Sequence, residues 1–155
     1  MSSFPIPALV PLGTLVAQVA APIDVGEGPQ GRRRVIPILG GTFTGERLSG
    51  RVLGGANDYQ IIRRDGLLEL HARYVIETAS KALIYVENTG VRDGPADLLA
   101  AQARGELVDP SKIYFRAFPR FETAAPEFQW LTRRLFVSAG ARFPDRVELQ
   151  FFELT

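Results

Sequence analysis

The sequence predicts an all-β fold, either a sandwich or an antiparallel β-barrel that is closed or nearly closed. Three observations predict it. Alternating apolar and polar runs recur along the chain, enough for about eight to ten strands. Clusters of Gly, Asp and Pro separate these runs at hairpin distances. Only one stretch, near residues 95–105, has the composition of a helix. A barrel removes exposed strand edges, and one of about eight strands can hold a small ligand.

The elements follow in order. Ala8 to Ala20 is rich in Val, Leu, Thr and Ala and reads as a long strand bent near Gly13. Pro22 to Gly31 reads as a turn region. Arg32 to Phe43 reads as a strand whose end is opened by Gly40-Gly41, and Leu48 to Leu53 as a short strand. Gly54-Gly55-Ala56-Asn57-Asp58-Tyr59 interrupts the pattern, since glycines let the backbone turn sharply or approach a neighbour closely. Gln60 to Arg64 resumes the strand, and Asp65-Gly66 signals a hairpin.

Leu67 to Ala79 is the longest uninterrupted strand candidate, and Ala82 to Thr89 returns from it. In Pro95 to Gly105, proline stands near the start of a Leu/Ala-rich helix and glycine at its stop. Leu131 to Ser138 and Arg146 to Leu154 close the chain as strands, separated by a turn from Gly140 to Asp145.

Between the helix and the last two strands lies Tyr114 to Trp130, the densest mixture of aromatic and charged residues in the chain. Its first half alternates. Phe115, Ala117, Pro119 and Phe121 share one face; Tyr114, Arg116, Phe118, Arg120 and Glu122 share the other. The charged row is either a solvated outer face with an Arg/Glu pair or the wall of a pocket for an aromatic or anionic molecule.

Composition narrows the class. The 155 residues suit one domain, 1–155, and 46% apolar content suffices for a core. A net charge of +1 provides no field for nucleic acid. Of the 18 basic residues only Lys81 and Lys112 are lysines, and arginine is the better partner for carboxylates and rings. The absence of cysteine removes disulfides and thiolate chemistry. Phe4 to Val25 is apolar but broken by Pro5, Pro7 and Pro11, which does not suit a signal helix or a membrane span. A cytoplasmic protein without membrane attachment is expected.

Chemistry is limited by elimination. His71 is the single histidine, so no metal site is expected. No Gly-x-Ser-x-Gly or phosphate-loop motif occurs, and no cofactor is expected. Asp58, just past the glycine bend, is either a turn aspartate bonding backbone N–H groups or a partly buried general base at a barrel mouth. His71 and Arg73 lie two residues apart on one strand face, either solvated with Glu69 and Glu77 or turned inward. Trp130 is a core anchor or a ligand contact. Tyr59 and Tyr114 either pack or donate to a ligand oxygen.

These residues carry a resemblance. Pro37-Ile38-Leu39-Gly40-Gly41-Thr42-Phe43, Val52-Leu53 through Asp58-Tyr59-Gln60, Arg64-Asp65-Gly66, Ala72-Arg73-Tyr74, and Phe115-Arg116 through Pro119-Arg120-Phe121-Glu122-Thr123 with Trp130-Leu131 closely resemble the DUF3237 (UPF0311) family. The resemblance covers nearly the whole chain, including the helical insert and its Val108-Asp109-Pro110 exit. It implies a compact antiparallel barrel of the lipocalin-like or allene-oxide-cyclase-like kind, often dimeric, and brings no established activity. Where the family typically reads Leu-Pro-Gly-Gly-Ala-Asp-Trp-Gln, this chain keeps Asp58 but has Gly54 for the proline and Tyr59 for the tryptophan. The family's Asp-Ala-Arg-Tyr is His71-Ala72-Arg73-Tyr74 here, and histidine exchanges protons near neutral pH more readily than an unshifted aspartate.

Two functions are therefore expected. One is a cofactor-independent isomerase, cyclase or lyase acting on a small aromatic or enolisable molecule. In it Asp58 or His71 moves a proton, Arg73 and Arg120 stabilise developing charge, and Tyr59, Tyr74, Arg116, Glu122 and Trp130 bind substrate. The other is a barrel that binds a small apolar ligand without chemistry, its arginines pairing a carboxylate. A subunit whose filled barrel only supports assembly is the third option. A homodimer is compatible with each.

Overall fold

The computed structural model describes residues 3–155. Ten strands are present: β1 (Leu9–Val19), β2 (Ile23–Gly28), β3 (Gly31–Thr44), β4 (Gly50–Val52), β5 (Ala56–Ile62), β6 (Leu68–Glu77), β7 (Leu83–Asp93), β8 (Tyr114–Thr123), β9 (Leu135–Arg142) and β10 (Arg146–Leu154). One α-helix, α1 (Ala96–Ala103), and 3₁₀ turns at Pro110–Lys112 and Pro126–Arg133 complete the described elements.

All pairings are antiparallel and close into a ring. The ring runs β1-β10-β9-β8-β7-β6, crosses to β3 through β4 at one end and β5 at the other, and returns to β1. This is a closed eight-position barrel, with β2 folded as an extra strand onto the first half of β3. The seam is β1, held by β10 on one side and by β3 on the other. Beside it, Ala8 and Thr155 exchange backbone bonds of 3.3 and 2.9 Å.

Alternation makes the core. Phe115, Ala117, Pro119 and Phe121 of β8 are buried, while Tyr114, Arg116, Phe118, Arg120 and Glu122 face out. At one end of the barrel Phe43, Ile76, Ile84, Phe121, Phe136 and Phe151 fill the interior. Phe43 meets Phe151 edge-to-face at 5.2 Å, and Phe121 meets Phe136 the same way at 5.0 Å. Each such side chain contributes about 1.5–3 kcal/mol on leaving water.

The structure departs from the sequence expectations at four places. Residues 23–28 form β2, because the Pro29-Gln30 turn folds them back onto β3 and Arg32 pairs Asp24 across the hairpin. Gly40-Gly41 do not end β3. They let it run close to β1, where a Cβ on Gly41 would stand 1.9 Å from the Val16 carbonyl oxygen. The glycine bend is only Gly54-Gly55, so Asp58 lies within β5 rather than on a turn. Residues 126–133 form a 3₁₀ segment with proline at its first turn, so β9 starts at Leu135 and runs on through Gly140 to Arg142.

Candidate functional site

The barrel's other end is built differently. Inward rows there contain small residues, Ala17, Ala72 and Ala117, which leave a chamber of about 50 Å³. That is room for one or two waters. Gly90 belongs to the same arrangement: an added Cβ would lie 2.5 Å from the Ala117 Cβ. Above the chamber a cavity of about 480 Å³ opens beneath α1, roofed by Leu99, Gln102 and Ala103. This falls in the range of about 300–1,000 Å³ typical of small-molecule sites. Ile36, Arg92 and Arg142 line both spaces and form the throat between them.

Polar and ionisable groups gather on the two sides of this throat. Arg34 stands on β3, Asp58 and Gln60 on β5, Arg92 on β7 and Arg142 on β9. Each ends or interrupts an inward row that is otherwise apolar or small. The Arg34 Nη2 donates to Gln60 Oε1 at 2.8 Å, and Gln60 Nε2 donates to Asp58 Oδ2 at 2.8 Å. The second carboxylate oxygen of Asp58 accepts the His71 backbone N–H at 2.9 Å. The β5–β6 ladder makes room for that bond, because its register skips residues 59–60.

Burial raises the Asp58 pKa above the ordinary carboxylate value, against the lowering pull of Gln60, the His71 N–H, Arg92 and Arg34. Residue 58 as a whole is half-buried, but its carboxyl group lines the inner chamber. Burial also drives Arg92 down to about 10, with Arg34 and Arg142 adding repulsion and Asp58 opposing it. Arg34 and Arg142 are lowered by the same desolvation. Tyr74 is pushed upward by burial and stays a neutral phenol. The Tyr74 hydroxyl, Asn88 Oδ1, Ser138 Oγ and the Nε atoms of Arg34 and Arg92 are buried without a hydrogen-bond partner among the described residues.

Of the residues singled out by sequence, the structure brings Asp58 and Tyr74 together at the chamber. It places the others elsewhere. His71, Arg73 and Arg120 lie on the outer wall, since their strand neighbours Leu70, Ala72, Tyr74 and Phe121 take the inward positions. There His71 Nε2 meets Glu87 at 2.7 Å, Arg73 Nε meets His71 Nε2 at 3.2 Å, and Arg120 stands opposite Glu87 on the adjacent strand. Arg116 and Glu122 share that outer wall, Arg116 covering the Tyr114 ring at 5.2 Å. Tyr59 is 40% exposed on the outside. Trp130 sits in the 3₁₀ segment with the Arg47 guanidinium 4.8 Å from its ring. Thus the charged row of β8 is outer surface rather than pocket wall.

Sequence reasoning passed over Arg34, Gln60, Asn88, Arg92, Ser138 and Arg142. A signal for three of them existed. Arg92 continues the row Ile84-Val86-Asn88-Gly90, Arg142 the row Phe136-Ser138-Gly140, and Arg34 precedes Ile36-Ile38. An arginine at the end of an apolar every-second-residue row points inward with that row. Among the described residues, no group of three or more His, Asp or Glu side chains is placed to hold a metal ion.

Known proteins share this architecture. The profile of a family described as protein of unknown function, DUF3237, matches residues 7–154. A UPF0311 protein of Rhodopseudomonas palustris is 49% identical over 141 residues, 91% of this chain and 92% of its own. A crystal structure of a conserved protein of unknown function from Rhodopseudomonas palustris superposes with a TM-score of 0.92 at 45% identity, over 98% of this chain and 99% of that one. A β-barrel-like protein from Acinetobacter baumannii gives 0.86 at 36% identity over 100% of both chains. An enzyme from Penicillium herquei shares the fold, with a TM-score of 0.74 at 16% identity over 100% of both chains. On the match over residues 7–154 and on these relatives, the chain belongs to the DUF3237 family.

Proposed function

We propose that this barrel is a cofactor-independent acid/base enzyme, of isomerase, cyclase or lyase type, acting on a small aromatic or enolisable molecule held in the mouth under α1. The observation that carries the reading is Asp58: a desolvated carboxyl group in the small inner chamber, joined through a throat of guanidiniums to the ligand-sized cavity under α1. Asp58 takes a proton from a C–H or O–H of the bound molecule and returns it at another position. Arg92 and Arg142 stabilise the negative charge that develops in between, in a site where water is scarce. The raised pKa of Asp58 brings its proton affinity closer to neutral pH, where such transfer is efficient. The unpartnered Tyr74 hydroxyl is a second donor within the same lining.

The test does not need the natural substrate. A panel of small aromatic ketones is incubated with the protein in D₂O, and loss of the α-proton signal is followed by NMR. Catalysed exchange is expected, falling by about 10²–10⁴-fold in Asp58→Asn. His71→Ala, Arg73→Ala and Arg120→Ala, on the outer wall, are expected to retain it. Exchange that is unchanged in Asp58→Asn removes Asp58 from the chemistry.

The second reading, a barrel that binds without reacting, draws on one observation. Asp58 already accepts two hydrogen bonds, from Gln60 and from the His71 N–H, and both oppose its protonation. A ligand that copurifies and stays unaltered on incubation favours that reading.

A further inference from the structure

We infer that the molecule held in the mouth is a small hydrophobic acid, whose carboxylate or equivalent anionic oxygen group lies among Arg34, Arg92 and Arg142. The inference names the ligand class for the site proposed above and rests on that reading of the cavity. Its basis is a charge imbalance. Three guanidiniums converge on the throat, and Asp58 is the single carboxylate among them.

A buried cation ordinarily has an anionic partner, because leaving it alone in a low-dielectric interior is costly. Arg92 is 3% exposed and its side chain makes no hydrogen bond within the described residues. Its guanidinium lies over the Phe115 ring, 5.7 Å from the ring centroid. Arg34 spends one nitrogen on a neutral amide, and its Nε is unpartnered. Arg142 donates to the carbonyls of Phe143 and Arg146, which bear no net charge.

The acids that line or border the mouth have partners of their own, although Asp145 also attracts Arg142 from the surface. Asp65 pairs with Arg63, Asp145 pairs with Arg146, and Asp93 accepts the Gly94 N–H. Asp58 itself is separated from Arg34 by the amide of Gln60. Within the described residues Asp58 is the one carboxylate set against three guanidiniums inside the throat, helped only from the surface by Asp24 and Asp145, so the remaining balance comes from outside the chain. Guanidinium forks favour planar carboxylates, which they bind bidentately. The apolar part of the mouth's lining, which includes Ile36, Ile62, Leu68 and Leu99, suits an apolar body attached to that head.

The experiment titrates the ¹⁵N-labelled protein with matched acid/amide pairs: benzoate and benzamide, 4-hydroxyphenylacetate and its amide, 2-naphthoate and 2-naphthamide. At least one acid is expected to shift signals of residues 92–105 and to bind about tenfold more tightly than its amide, a difference of about 1.4 kcal/mol. Arg92→Met is expected to reduce that preference to about threefold or less, while Arg92→Lys keeps part of it. Should Arg92→Met fail to fold, Arg142→Gln carries the same comparison. Amides binding as tightly as acids, or neither shifting the mouth signals, overturns the inference. Asp58→Asn separates the two readings. If it keeps the acid preference and proton exchange is also unaffected, the anion site stands and the catalytic proposal falls. If exchange depends on Asp58 but acids are not preferred, the reverse holds.

Discussion

The two ends of this barrel obey one backbone rule and spend it on opposite ends. In both, every second residue of a strand points inward. At the closed end those positions hold Phe43, Ile76, Ile84, Phe121, Phe136 and Phe151, none more than 5% exposed and several interlocked edge-to-face. At the mouth three of the same strands, β3, β7 and β9, present Arg34, Arg92 and Arg142 around open space, with Asp58 and Gln60 of β5 in the chamber below. Strand β7 shows the change within one row: Ile84 and Val86 at the closed end, Asn88 in the middle, Arg92 at the throat. The lesson is a division of labour along the axis. The apolar half holds the ring together, and the surplus stability tolerates a polar half that folding alone would not select.

The comparison breaks first under substitution at the closed end. Phe151→Ala removes a fully buried ring in contact with Phe43 and Phe121, and is expected to cost about 3–5 kcal/mol in denaturant unfolding. A smaller loss would mean that this half is not the foundation. Gly41→Ala tests the close approach of β3 to β1, where the added methyl meets backbone and φ is +154°. A loss of about 1–3 kcal/mol is expected in the same assay.

Substitutions at the mouth should run the other way. Arg92→Met replaces a buried cation, only partly compensated by Asp58, by an apolar chain of similar length, and is expected to gain about 1 kcal/mol, read as a higher Tm. A lower Tm would show that Arg92 supports the fold.

Asp58 adds a pH signature. Its folded pKa is raised, so its contribution to stability is intact below its unfolded value, about 3.8. That contribution is lost as pH rises through the raised folded value. The difference in unfolding free energy between wild type and Asp58→Asn should therefore shift against wild type from pH 3 to pH 7. Taking the difference cancels Asp24, Asp65, Glu77 and Asp109, whose lowered pKa values act in the opposite direction. A flat difference would mean that Asp58 is not desolvated. The smallest effect belongs to the outer wall, where His71→Ala and Arg73→Ala should stay within about 0.5 kcal/mol of wild type.

Much of the ring was legible before any coordinates. The β8 alternation separated its two faces, Asp65-Gly66 marked the β5–β6 hairpin, and Pro95 with Gly105 bracketed α1. What failed was choosing which face of β6 points inward. Leu70 and Tyr74 alternate with His71 and Arg73, and Ala72, the inward residue between them, is too small to signal a core position. The candidate site was half legible for a related reason. Asp58 stands beside a glycine bend and draws the eye. Arg92 and Arg142 are strand arginines, and strand arginines are ordinarily outside; only their register with apolar rows two, four and six residues back marks them as interior.

The seam at β1 bears on how the molecule is made. Its partners are β3, about twenty residues downstream, and β10, which lies at the far end of the chain. While the protein is being synthesised, β1 can zip to β3 early, but the cylinder stays open until β10 has left the ribosome. Ala8 and Thr155 lie within hydrogen-bonding reach, so a short peptide bridge would turn the chain into a covalent circle. Such a circle could be reopened at Pro29-Gln30, moving the translational start to β3 and letting β10 and β1 emerge as one continuous hairpin.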